Sequence, residues 1–312
     1  MNIEWEKFLT VNDSWIATHL SRHKVEFESK LTLRTYTIRF NGPNYDATQF
    51  ISFVKESIKN YVLNEREISA VERNDGDPFE EALLYFGDTD PTYDGKFGEL
   101  ILYLLVESIL KVPMLVFKIP LSSKDQVKGS DGIFIGNYNE TPAILLGEAK
   151  SWGELGAALN SAFDSLHRFY DKNGDKKLRY EYLVSKKGIR VDLSREELDY
   201  LYDCFTLGSS ENNKRSVVHP VLIIYNDTRI QNIKSDDPYT AENELKNLIA
   251  DKLSEYFQEL KSLCAKYKDV GAVYLDFFFI PMNDVDMFKR ELYTAIHGAP
   301  PPAKRKRKRK NK

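Results

Sequence analysis

"SDGIFIGNYNETPAILLGEAKSW", residues 130–152, is the stretch whose reading decides the fold. If Asn139 and Glu140 form the tip of a two-residue hairpin, Tyr138 pairs with Thr141, and counting back along both strands sets Asp131 opposite Glu148. Directly opposed residues of an antiparallel pair point to one face with β-carbons about 5 Å apart, and Lys150, two positions on, shares that face. Ile133, Ile135, Ile144 and Leu146 lie on the charged side and Phe134 and Leu145 on the other, so both faces are apolar and the pair belongs to a sheet interior. A four-residue loop centred on the same point keeps this register, whereas an odd loop breaks it.

Two carboxylates and an ammonium therefore converge at the end of an apolar strand. Converging carboxylates resist simultaneous ionisation unless a cation lies between them. Magnesium, or manganese in its place, takes oxygen ligands and keeps waters that a phosphate can displace. A lysine beside such a site orients or deprotonates a water that attacks phosphorus. Glu99, near the start of "GKFGELILYL", is a charge set against an apolar stripe and is the candidate third acid. Glu-x-Lys alone is a weak signal. It recurs at Glu28/Lys30, Glu244/Lys246 and Glu259/Lys261, and with aspartate at Asp175/Lys177, where it reads as solvated or loop charge. The bland alternative is a strand-end salt bridge between Glu148 and Lys150, with Asp131 as a turn former in "GSDG".

Outward from the hairpin, "LTLRTYTIRF" (31–40) reads as a strand and residues from about Ala47 to Leu63 as a helix. A second helix, from about Lys96 to Lys111, has apolar residues around most of its circumference and is expected to be buried. Pro113 ends it, and "MLVFKI" (114–119) is expected as a strand. A helix with Leu155, Ala158, Leu159, Ala162, Phe163 and Leu166 on its apolar face follows the hairpin, then the β-branched strand "VVHPVLIIYN" (217–226). A long helix from about Ala241 to Lys266, a strand "AVYLDFFFIP" and a short final helix complete the order. The fold expected is α/β, a mixed sheet flanked by helices with N-terminal and C-terminal additions, which the resemblance drawn below makes restriction-endonuclease-like. Residues 1–90 form an N-terminal α/β lead-in, 91–298 the core with a C-terminal extension, and 299–312 a disordered basic tail.

The 312 residues, 42% hydrophobic, suffice for a full core. No apolar run approaches the roughly 20 residues a bilayer-spanning helix needs, so a cytoplasmic protein without a membrane partner is expected. Cys204 and Cys264 read as buried small side chains, and neither they nor His19, His23 and His219 form a zinc-like cluster. The net charge of −3 hides an asymmetry: "KRKRKRKNK" at the end holds eight basic residues, and without them residues 1–303 carry about −11. An acidic body is a poor unaided holder of a polyanion. His167 beside Arg168 reads as a surface pair or a phosphate contact. "DKNGDKK" (171–177) lacks the closing acid of a calcium loop. Trp152 is expected to pack on the following helix, with base stacking as the alternative.

Glu99 on a helix, Asp131 and "GEAK" together resemble the PD-(D/E)xK nuclease superfamily, with Ser130 where the motif name has proline. Across "FGELILYLLVESIL", "KGSDGIFI", "LLGEAKSW" and "VVHPVLIIYN" the sequence is similar to the HamA family, nuclease subunits of the Hachiman anti-phage defence system. The resemblance implies a magnesium-dependent phosphodiesterase acting on DNA, with Glu99, Asp131, Glu148 and the Ala149 carbonyl as metal ligands and Lys150 as the catalytic lysine. It also implies a superfamily 2 helicase subunit, HamB-like, that binds DNA and restrains the nuclease. A stand-alone restriction- or repair-type endonuclease of the same fold is the alternative, and a non-catalytic scaffold is a third reading.

Overall fold

The computed structural model describes residues 3–302 apart from 42–43, 88–89, 93–94, 117–128, 172–173, 190–192, 234 and 236. Seven strands form one mixed sheet: β1 (Leu20–Arg22), β2 (Glu26–Glu28), β3 (Leu31–Ile38), β4 (Gly132–Tyr138), β5 (Thr141–Ser151), β6 (Ser216–Asn226) and β7 (Tyr274–Met282). The spatial order is β1-β3-β7-β6-β5-β4, with β2 also on β3. β3, β7, β6 and β5 run parallel, while β4 joins β5 and the two short strands join β3 in antiparallel fashion. Parallel strands need crossovers and are covered on both faces, which is why β6 and β7 read as mainly apolar runs, broken by His219 and Asp276, rather than alternating ones.

The two faces follow the hairpin's alternation. Phe134, Ala143 and Leu145 pack with the Lys96–Leu105 helix and the C-terminal helix Val285–His297. Ile133, Ile135, Ile144 and Leu146 face the opposite layer, with Tyr182 of the Gly174–Lys187 segment, Leu201 of the Arg195–Cys204 helix and Phe205 at that helix's end. Further along that layer the helices Leu155–His167 and Pro238–Lys266 cover Val221, Ile223, Phe277 and Phe279. Burying each such side chain stabilises the fold by roughly 1.5–3 kcal/mol.

The lead-in is part of this sheet, because β3 lies directly beside β7. A buried ion pair ties them together: Asp276 of β7 accepts from Arg34 Nε at 2.8 Å and Nη2 at 3.1 Å, and from the Tyr138 hydroxyl at 2.9 Å. The expected 47–63 helix is two helices, Thr48–Glu56 and Ile58–Val62, parted at Ser57. The expected 96–111 helix turns π-helical over Val106–Leu110. Glu107, wholly buried there, accepts from the Thr10 amide at 2.8 Å and hydroxyl at 2.9 Å and from the Met114 amide at 2.9 Å. Of the expected 114–119 strand, Val116 bridges Ile133 and Ile189, and residues 117–119 lie outside the described residues. So does most of the basic tail, at 303–312.

The hairpin register is Tyr138 with Thr141 through Gly132 with Gly147. Asn139 and Glu140 both have positive φ, 47° and 63°, as a two-residue turn matching the strand twist requires. Asparagine tolerates this region and glutamate does not, so Glu140→Gly should relieve strain. The expected outcome is a gain of about 1 kcal/mol in the free energy of urea unfolding, and a loss instead would show that Glu140 contributes contacts outweighing its backbone strain.

Candidate active site

β4 begins at Gly132, but β5 continues four residues past the pairing partner of Gly132. Along a strand, a residue's N–H and C=O point to the same edge and successive residues alternate. Trp152 donates to Ile224 of β6 at 3.0 Å, so the even-numbered residues here face β6, and Ala149 and Ser151 face the edge that β4 has left. Side chains close that edge. Asp131 is anchored by its amide on the Gly147 carbonyl at 2.8 Å, and its carboxylate accepts the Ala149 N–H at 2.8 Å. Lys289, only 5% exposed on the C-terminal helix, donates to the Ser151 carbonyl at 2.7 Å. The Ala149 carbonyl faces the same edge as its amide, beside Asp131.

Glu148 and Lys150 share the opposite alternation and form an ion pair. Glu148 is 2% exposed. Burial pushes its carboxyl up to about 7, the nearby Asp131 adds to this, and Lys150 and a hydrogen bond with Ser165 oppose it. Glu99 approaches from the first turn of the Lys96–Leu105 helix. That helix can lie close to β5 because residue 98 is glycine: a β-carbon there would stand 3.3 Å from the Ala149 β-carbon. The Tyr61 hydroxyl lies 3.5 Å from a Glu99 carboxylate oxygen. Burial raises the Tyr61 phenol far above its ordinary range, and the negative charges of Glu99 and Asp131 add to the rise.

Asp131 and Glu148 are thus neighbours around Ala149, with Lys150 on Glu148 and with Glu99 set against Tyr61. Among the described residues, no group of three or more His, Cys, Asp or Glu is gathered as a metal cluster. The donor chemistry that fits a hard divalent cation is the Asp131 and Glu148 carboxylates with the Ala149 carbonyl, all oxygen. Sequence reasoning missed Tyr61, Ser165 and Lys289. Ser165 is an ordinary polar residue on a helix, and nothing in "KNYVL" or "MFKREL" signals proximity to the hairpin.

Other candidates have structural duties. His219 is fully buried, its Nδ1 2.9 Å from the Leu146 carbonyl and its Nε2 2.6 Å from the Tyr170 hydroxyl. The His167 ring stands edge-on to Tyr267. Cys204 is buried under Arg215, while Cys264 is only partly buried, against expectation. Trp152 also departs from expectation, being 47% exposed instead of packed on the next helix.

A mixed sheet with helices on both faces, and an acid-lysine pair where its edge hairpin ends, defines a restriction-endonuclease-like α/β protein. The family model for HamA matches residues 10–296, and the chain belongs to the HamA family, a component of the Hachiman defence system. No curated protein matches it closely enough to count as a relative. No helix among the described residues is long and apolar enough to cross a membrane.

Burial lowers the His219 pKa to about 4, below its ordinary value of 6.5. A lowered histidine leaves stability intact above the unfolded value and removes it as pH falls towards the folded one. The free energy of urea unfolding should therefore fall between pH 6.5 and 4, by up to about 3 kcal/mol from this residue, and His219→Gln should show a shallower fall. Equal slopes for the two proteins would mean that His219 takes up its proton without unfolding cost.

Proposed function

We propose that this chain is a metal-dependent DNA nuclease, the effector of a Hachiman system, acting with a helicase subunit that restrains it and delivers its substrate. The observation that carries this reading is the buried Glu148 carboxylate, pressed by Asp131 and paired with Lys150 at a strand end. Like-charged groups so placed are a poor choice for stability and a good one for binding a cation.

Magnesium or manganese would be held by Asp131, Glu148 and the Ala149 carbonyl, with Glu99 as a further ligand, and would supply stabilisation of charge developing on a phosphodiester. A cation held there would relieve the repulsion between Asp131 and Glu148. The Lys150 ammonium, no longer needed to compensate Glu148, would then hold the attacking water and a non-bridging phosphate oxygen. The Asp131 bond to the Ala149 amide fixes the strand segment on which both functions ride.

Stabilisation by the cation and lysine amounts to several kcal/mol, which at about 1.4 kcal/mol per factor of ten is a thousandfold or more in rate. Glu148→Ala and Lys150→Ala should each lower magnesium-dependent DNA cleavage and phage protection by at least that factor, with unfolding midpoints showing a folded protein. Wild-type cleavage by either variant removes that residue from the mechanism.

The partner follows from charge. The body's long-range field opposes DNA, and the tail alone can tether it only in a salt-sensitive way, each neutralised phosphate adding a slope of about −0.9 in log affinity against log salt. The purified chain should bind DNA weakly and cut it slowly near 0.15 M salt, and a DNA-binding helicase subunit should restore delivery. Tight, salt-resistant binding by the chain without residues 304–312 would favour a stand-alone endonuclease instead.

A further inference from the structure

The strand face that carries Glu148 and Lys150 ends in one more side chain, Trp152, which is 47% exposed where Glu148 is buried and Ala149, Lys150 and Ser151 are half-buried. Its backbone is not loose. Trp152 donates to the Ile224 carbonyl at 3.0 Å, and the Asn226 amide donates to the Gly153 carbonyl at 3.2 Å. The Asn226 side-chain oxygen in turn accepts from the Val285 amide at 2.7 Å, fastening the turn to the C-terminal helix. A large aromatic surface is held open to solvent on a fixed backbone, so a flat ligand placed on it loses little to ordering the protein.

A groove of roughly 410 Å³ opens between this indole and one face of the Leu155–His167 helix. Besides Trp152 and Ala157 its lining is Asn160, Ser161, Asp164, Ser165 and Arg168, at the three- and four-residue spacing of a single helix face. Two features orient it. Ser165, which lines the groove, is also close enough to Glu148 to favour its ionised form, and so links the groove to that carboxylate. Arg168 is fastened to that helix by its Nε on the Ser165 carbonyl at 3.1 Å, so a guanidinium stands along the groove. Asp164, the one acid of the lining, is engaged by the Tyr267 hydroxyl at 2.6 Å. An aromatic platform, polar walls and a cation continuous with a phosphodiester site match a nucleotide better than the apolar anchor of a protein partner.

We propose that this groove is a subsite for a single nucleic-acid strand, with one base stacked on Trp152 and a phosphate against Arg168, leading that strand to Lys150. The inference rests on the nuclease reading of the site and adds strand selectivity to it. The face of a base is available for stacking on a side chain only when the base is out of a duplex stack.

The test uses the full chain and a short oligothymidylate carrying 5-iodouracil. With the Lys150→Ala protein, which leaves the strand uncut, irradiation should crosslink the oligonucleotide to the Trp152 peptide, and the same sequence in a duplex should crosslink far less. In cleavage by otherwise native protein, Trp152→Ala should raise KM about 5- to 150-fold, the range set by base-aromatic stacking, with kcat within about twofold. Trp152→Phe should recover most of the loss, and Arg168→Ala should raise KM and flatten its salt dependence. Absence of a crosslink at Trp152, or a wild-type KM for Trp152→Ala, overturns the groove. Cleavage that stops with Lys150→Ala but ignores Trp152→Ala sinks the groove alone. A crosslink at Trp152 in a wild-type chain that cuts nothing sinks the nuclease reading and leaves the groove standing.

Discussion

β5 is longer than its partner, and the site exists because of that inequality. Past Gly147 the strand has β6 on one side and no strand on the other, so the amide of Ala149 and the carbonyl of Ser151 face an open edge within a largely buried region. Backbone groups there must find partners or the fold loses the cost of desolvating them. Asp131 and Lys289 fill the role that a continued β4 would have taken. A carboxylate and an ammonium thus enter a place where a strand would have brought only backbone, and the sheet becomes chemically addressable at its edge without losing hydrogen bonds.

The remaining architecture holds that edge steady. Gly98 lets the Lys96–Leu105 helix close on Ala149 from one face, which sets Glu99 near Tyr61. On the other face, the Leu155–His167 helix presents Ser165 to Glu148. The lead-in contributes through β3, whose Arg34 neutralises Asp276 in the core of the sheet. Removing one partner of such a pair costs more than the pair contributes, since the other charge is left buried. Through β3 the lead-in shares the sheet that carries the hairpin.

What was legible in the sequence was what period-two alternation and a turn can carry. The hairpin, the sorting of Ile133 and Phe134 to opposite faces, and the shared face of Glu148 and Lys150 all follow from counting residues about Asn139 and Glu140. Contacts between distant segments have no such signature. Lys289 reads as one more lysine on an amphipathic helix, and only the tertiary fold places it on Ser151. The break at Ser57 and the π-helical turn at Val106–Leu110 were invisible for a related reason: helical periodicity survives a single local change of hydrogen-bond pattern.

Trp152 shows the opposite failure, in which a sound local rule gives the wrong place. An aromatic residue at the end of a buried strand ordinarily packs under the next helix, because covering a ring that size removes much apolar surface from water. Here Gly153 and the Asn226 clamp turn the chain so that the helix begins beyond the indole, and the helix offers it Asn160, Ser161 and Arg168 instead of an apolar face. The burial that the fold forgoes at Trp152 is confined to the rim of the one strand end where Asp131, Glu148 and Lys150 meet, and that coincidence gives the exposed ring a chemical meaning.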